Sequence, residues 1–256
     1  VCDGYAKTYA CIMNELGIHT IEVTSYQLSH AWNMIYIDNA WYQVDCTFDD
    51  SVSAYTVGGM SDSLGECSHT YFLLSTSAMQ SHSEHYATDF SAVDTTLSNI
   101  VSSSANSTYD SAWWHSVYSP LYYYGNDWYY ARGSAIRLRD TLLSSSDALL
   151  TGAINGSSYA ALAMIGNRVF LTAKSASQLS SSIEEYQLDT AAHALSFVYR
   201  YSRSCYGIVG YSDILYYASA CGKYQQTVSQ LASLATAPGT DFSIEGFVTR
   251  LYKVCL

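Results

Sequence analysis

The chain has 256 residues, 49% of them hydrophobic, enough to fill one large core or two modest ones and too many for disorder throughout. Only 13% are charged, and 11 Lys and Arg against 22 Asp and Glu give a net charge of −11, so the clustered cations that grip a phosphate backbone are missing and nucleic acid is excluded as a partner. No apolar run approaches the roughly 18 to 20 residues of a membrane-spanning helix, so no transmembrane segment is expected.

In chain order, residues 2–17 place Ala6, Tyr9, Ala10, Met13 and Leu16 at helical spacing and end in Gly17, which suits a helix C-cap. This predicts an amphipathic helix with Cys2 at its N-terminus. Strands are predicted over 18–23, 30–37 and 41–46, with Asp38 and Asn39 as the tight turn between the last two. A loop rich in Gly and Ser (51–68) leads to a further apolar run at 71–74. From 89 to 111, Ser, Thr, Asp and Asn dominate without periodicity, which predicts a linker between a first domain (1–88) and a second (112–256).

Beyond that linker, 121–131, 162–171 and 206–217 share one design of apolar strand, glycine turn and apolar strand. The predicted turn residues Gly125, Gly166 and Gly210 are separated by 41 and 44 residues, within the range of propeller blades, and 246–254 would open another copy. The alternative is a generic β-rich domain, since glycine turns and aromatic strands are common. The fold class read from these signals is α+β, a helix with an antiparallel sheet followed by an all-β repeat domain.

Seven cysteines (Cys2, Cys11, Cys46, Cys67, Cys205, Cys221, Cys255) without a CxxC pair argue against structural zinc or a redox dithiol. Their odd number fits one reactive thiol plus buried free thiols at least as well as a disulfide framework, with Cys205 and Cys221 a pair that a hairpin would allow.

Nucleophilic cysteine chemistry needs a thiolate, a base and a group that orients the base. Cys2 starts a helix, where backbone N–H groups and the positive end of the dipole favour the thiolate and offer an anion site. A turn at Asp38 and Asn39 pairs residues whose numbers sum to about 77, which sets His30 opposite position 47 and diagonal to Asp45. Cys2, His30 and Asp45 are therefore the candidate catalytic set. Tyr5, Trp32 and Trp41 are substrate-pocket candidates, although aromatic residues in strands more often form packing walls. His82-Ser-Glu-His85 lacks the i, i+4 histidine pair of a zincin, and His69, His82, Glu84 and His85 are not expected to bind metal. Asp49 and Asp50 are read as strand-closing and turn-capping residues. Neither a metal nor a cofactor is expected.

Three ordered motifs, Val1-Cys-Asp-Gly-Tyr-Ala6, His30-Ala-Trp-Asn33 and Trp41-Tyr-Gln-Val-Asp-Cys-Thr-Phe-Asp-Asp50, resemble the transglutaminase-like superfamily, whose bacterial members read approximately G-V-C-x-G-Y-A, H-A-W-N and W-Y-x-V-D-x-T-W-D-D. The likeness continues through Tyr71-Phe-Leu-Leu-Ser75 and Met79 and covers about the first 85 residues. Phe48 stands where tryptophan is commoner, and Cys46 where proline is often found. The resemblance implies a papain-like, transglutaminase-like core with Cys2 as nucleophile, His30 as general base and acid, and Asp45 as orienting carboxylate. It also implies a core truncated at its N-terminus, because the chain opens inside the first motif and family members often carry a residue that assists the oxyanion upstream. The expected activity is acyl transfer or hydrolysis on a protein or peptide amide, as a protease, amidase or crosslinker. The expected setting is the bacterial cell surface or exterior, with a cell-wall or surface partner for the β-repeats. The rival reading is a non-catalytic adhesion or scaffolding protein that retains an inactive core.

Overall fold

The computed structural model describes residues 1–50, 56–57, 60–61, 67–103, 106–132, 135–139, 147–150, 159–173, 182–202, 207–219, 222–227 and 240–241. The chain forms two compact units, one from 1–50 and 68–116, the other from 51–67 and 117–256. The Cys205–Cys221 pair that a hairpin would allow and the repeat opening at 246 lie outside the described residues, as does most of the 51–68 loop.

The first unit opens with helix α1 (Cys2–Glu15), which buries Ala6, Tyr9, Ala10 and Met13. Gly17, at φ +80°, ends it, and the Ile18 N–H reaches back to the Met13 carbonyl at 2.9 Å, closing the last turn as a left-handed C-cap does. Asn14 then bonds both the N–H and the carbonyl of Thr20, each at 3.0 Å, tying the helix to the first strand. Strands β1 (Thr20–Ser25), β2 (His30–Ile37) and β3 (Ala40–Val44) pair antiparallel, and the short helix α2 (Cys46–Asp49) follows. The β2–β3 register sets Ile37 opposite Ala40 and Asn33 opposite Val44, with both turn residues left-handed, Asp38 at φ +50° and Asn39 at +59°. This is the two-residue hairpin predicted from Asp38-Asn39.

Two short strands belonging to the other unit, β4 (Thr56–Val57) and β5 (Met60–Ser61), intervene. The first unit resumes with β6 (Phe72–Leu74), helix α3 (Thr76–Ser81), β7 (Ser91–Ala92) and helix α4 (Ser98–Ser103). Its sheet runs β6-β3-β2-β1-β7, antiparallel throughout. Because side chains alternate along a strand, Trp32 and Met34 of β2 join Trp41 of β3 in a core with Leu74, Met79, Ala92 and Val101. Asn33, on the opposite face, donates to the Ala6 carbonyl of α1 at 2.9 Å.

The stretch 89–111, expected to be a linker, is part of this unit. Ala92 pairs with Val23, Val101 is buried, and the Asp110 carboxylate takes the Ser75 N–H at 2.7 Å and its hydroxyl at 2.6 Å. A segment poor in periodic apolar residues is held here by side-chain hydrogen bonds, which a hydropathy pattern does not register. The first compact unit runs on to Ser116.

Among its described residues the second unit forms three four-stranded antiparallel sheets. The first comprises β8 (Tyr122–Tyr124), β9 (Asp127–Arg132), β10 (Ala135–Arg139) and β11 (Ala148–Leu149). The second comprises β12 (Tyr159–Ile165), β13 (Arg168–Ala173), β14 (Ile183–Asp189) and β15 (Ala194–Tyr201). The third comprises β16 (Gly207–Tyr211), β17 (Ile214–Ser219), β18 (Gly222–Thr227) and β19 (Thr240–Asp241). The β12–β13 hairpin of the second sheet is buried on both faces. Leu162, Val169 and Leu171 pack with Tyr129 and Ala131 of the first sheet, while Ala161, Ala163 and Phe170 pack with Ile208, Leu215 and Tyr217 of the third. Strands covered on both sides read as continuous apolar runs, which is why 162–171 stands out in the sequence.

Gly125 and Gly166 lie in hairpin turns at φ +59° and +58°. Gly210 does not: it sits inside β16 opposite Leu215, and the turn falls at Ser212 and Asp213, with Ser212 at φ +56°. A Cβ on Gly210 would lie 2.6 Å from Ile165 Cγ1 and 2.7 Å from the Met164 carbonyl oxygen, so this glycine permits close approach of two strands rather than a turn.

Candidate active site

The first unit brings Cys2, His30 and Asp45 together. Cys2 is the first residue of α1, His30 the first of β2, and Asp45 the residue between β3 and α2. Asp45 is the N-cap of α2: its Oδ1 accepts the N–H groups of Thr47 at 2.8 Å and Phe48 at 3.1 Å. That fixes the carboxylate and turns Oδ2 toward the histidines. His30 donates from Nε2 to Oδ2 at 2.5 Å, and the same imidazole is near enough to the Cys2 thiol for each to shift the other's pKa. With Nε2–H committed to the carboxylate, Nδ1 is the nitrogen left to exchange a proton with sulfur.

Electrostatics reinforce this geometry. Burial pushes the Cys2 thiol up, but the backbone of Ala31, the His30 ring and the backbone of Asp3 outweigh it and bring the thiol below its ordinary value. Burial also opposes the charged form of His30, yet the hydrogen bond and charge of Asp45, with a smaller contribution from Cys2, raise its pKa above the ordinary histidine value. Asp45 is fully buried, and the cost of burying its charge is exceeded by the hydrogen bonds it accepts from His30 and His85 and by the charge of His30, which hold the carboxyl below its usual range. The three shifts together favour a thiolate–imidazolium pair backed by a carboxylate.

A fourth residue occupies the same carboxylate. His85, fully buried, donates from Nε2 to Asp45 Oδ2 at 2.8 Å. The sequence reading considered it only as a metal ligand, and because it stands 40 positions from Asp45 no local pattern marks it. Of the other histidine-region candidates, His82 packs on the Tyr71 ring, His69 on Phe72, and Glu84 accepts the Tyr71 hydroxyl at 3.0 Å. The donor atoms of His30, Asp45 and His85 lie within 4.8 Å of one another, the one such grouping among the described residues. Their 2.5 and 2.8 Å contacts are hydrogen bonds, and a zinc ion about 2.0 to 2.2 Å from each donor would require them to separate.

Aromatic side chains frame the ring system. Trp32 is buried, donates from Nε1 to Gln43 at 2.7 Å and stacks on His30 at 5.6 Å between centroids. Phe48 meets His30 edge-on at 5.0 Å and stays partly exposed. Trp41 packs with Tyr36 at 5.3 Å, away from the imidazole, and the Tyr5 hydroxyl donates to Asp50. Asp49 is buried and takes the Tyr71 N–H on both oxygens at 3.0 and 3.2 Å; burial pushes its carboxyl up to about 7. Among the cysteines, Cys2 is partly buried, Cys11 exposed and Cys46 buried, all three free, whereas Cys67 is disulfide-bonded, so the chain carries a disulfide as well as free thiols.

The site defines a Cys–His–Asp class of thiol centre with a second histidine on its carboxylate. Compared with known proteins, the chain matches no protein-family model and no curated protein sequence.

Proposed function

We propose that this chain is a transglutaminase-like cysteine enzyme that performs acyl transfer or hydrolysis on protein or peptide amides. The observation that carries the reading is the convergence of the Cys2 thiol and the buried Asp45 carboxylate on the His30 ring, bonded to Asp45 at 2.5 Å and electrostatically coupled to Cys2. The Cys2 thiolate attacks a carboxamide or peptide carbonyl carbon, forming the C–S bond, and backbone N–H groups at the start of α1 face the oxygen that gains charge. As the C–N bond breaks, the proton on His30 passes to the leaving amine. Water or a second amine then attacks the thioester, His30 takes its proton, and the thiolate is released.

On this reading the helix and five-stranded sheet of the first unit are a papain-like, transglutaminase-like core, supported by the order of the three motifs and by α1 packing on the sheet. The three stacked four-stranded sheets support a partial β-propeller as the repeat architecture of the second unit. Among the described residues no helix is long and apolar enough to cross a membrane. A bacterial cell-surface or extracellular setting, with the sheets engaging a wall or surface partner, completes the proposal.

Iodoacetamide or a glutamine-mimicking thiol probe, followed by peptide mapping, tests it. Rapid labelling of Cys2 that His30→Ala abolishes is the expected result. Cys11, free and exposed, is the internal reference. Labelling of Cys2 no faster than Cys11 would favour the adhesion or scaffolding protein instead.

A further inference from the structure

Asp45 accepts four N–H groups, two backbone donors on Oδ1 and two imidazoles on Oδ2. A three-residue relay needs only one of those imidazoles. The second, His85, is enclosed by aromatic rings: Trp32 at 5.4 Å, Phe48 at 5.1 Å, Tyr71 at 5.0 Å and His30 itself at 5.6 Å between centroids. Its backbone is pinned by the N–H bond to the His82 carbonyl at 3.0 Å. Since a carboxylate only accepts, His85 carries its hydrogen on Nε2, and Nδ1 is left bare, buried and without a partner among the described residues. Burying an unpaired nitrogen is unfavourable, and a ring present only to fill space would be better replaced by an apolar one. The arrangement directs the single N–H of His85 onto the atom that holds His30.

We infer that His85 is a positioning residue for the chemistry proposed above: it shares Asp45 Oδ2 with His30, fixes the carboxylate in place and moderates its pull on the His30 imidazolium. The inference rests on the Cys2–His30–Asp45 reading. An acceptor divided between two donors is less basic toward each, so His85 keeps His30 able to release its proton as well as hold it. The titratable groups around this centre are Cys2 from α1, Asp45 and Asp49 from the α2 region, Tyr71 beside β6, and His82 and Glu84 from the turn after α3.

The test follows the His30 ring by 15N NMR titration in the full chain, alongside the pH profile of Cys2 alkylation. In His85→Phe the His30 titration and the alkaline limb of alkylation are expected to move up by about half a pH unit or more. His85→Gln, which restores a neutral donor, returns both toward the wild type. A His85→Phe variant that loses stability while His30 titrates as in the wild type overturns the inference, because filling and bracing are then its whole contribution. Should neither variant fold, wild-type 15N shifts decide: protonation at Nε2 supports the assignment, and protonation at Nδ1 overturns it. Failure of the enzyme reading is a separate signal, namely Cys2 alkylation that His30→Ala leaves unchanged.

Discussion

Replacing Asp45 with asparagine separates its two jobs. The amide keeps a carbonyl oxygen for the Thr47 and Phe48 N–H groups, so the α2 cap survives, but it sets an NH2 donor against the Nε2–H groups of both His30 and His85. Each lost bond to a charged acceptor is worth about 1.5–3 kcal/mol. The share acting through His30 corresponds to roughly one to two pK units of imidazolium stabilisation, at about 1.36 kcal/mol per unit. Asp45→Asn should therefore reduce the thiolate–imidazolium population near neutral pH, and with it the second-order rate of Cys2 alkylation, by about 10- to 100-fold. The assay is timed iodoacetamide labelling with peptide mass mapping, Cys11 providing the reference rate and circular dichroism confirming the fold. A folded Asp45→Asn chain that alkylates at the wild-type rate with an unchanged pH profile would refute the claim that this carboxylate controls the thiol.

Asp49 predicts a pH dependence of stability on its own. Its folded pKa of about 7 lies above the unfolded value, so its contribution is fully present below about pH 4 and is lost as pH rises through about 7. Asp45 runs the other way, its depressed pKa giving stability that disappears only in acid. Melting temperatures should thus fall from about pH 5 to pH 8 in the wild type and stay flatter in Asp49→Asn; parallel curves would contradict the assignment. Gly210→Ala should destabilise by about 1–3 kcal/mol in urea titrations, because one clash is with the Met164 backbone, which cannot rotate away. Gly4→Ala, within α1 and with nothing within 4 Å of its added methyl, should instead be neutral or stabilise by about 0.5–1 kcal/mol.

What the residues determine locally was legible without coordinates. The 3.6-residue spacing of Ala6, Tyr9, Ala10 and Met13 and the terminal Gly17 mark α1, and Asp38-Asn39 sets a hairpin register that carries through to Asn33 opposite Val44. The placing of His30 near Asp45 follows from that register. Tertiary structure decided the rest, because the deciding contacts join residues far apart in the chain. His85 reaches Asp45 across 40 residues, and the polar stretch 89–111 becomes structure only once Ser75 and Asp110 meet. Gly210 looks like a turn glycine until the neighbouring sheet supplies Met164 and Ile165 against it. Periodicity and turn chemistry report on a residue's nearest neighbours along the chain, whereas a buried hydrogen bond depends on which segments the fold has pressed together.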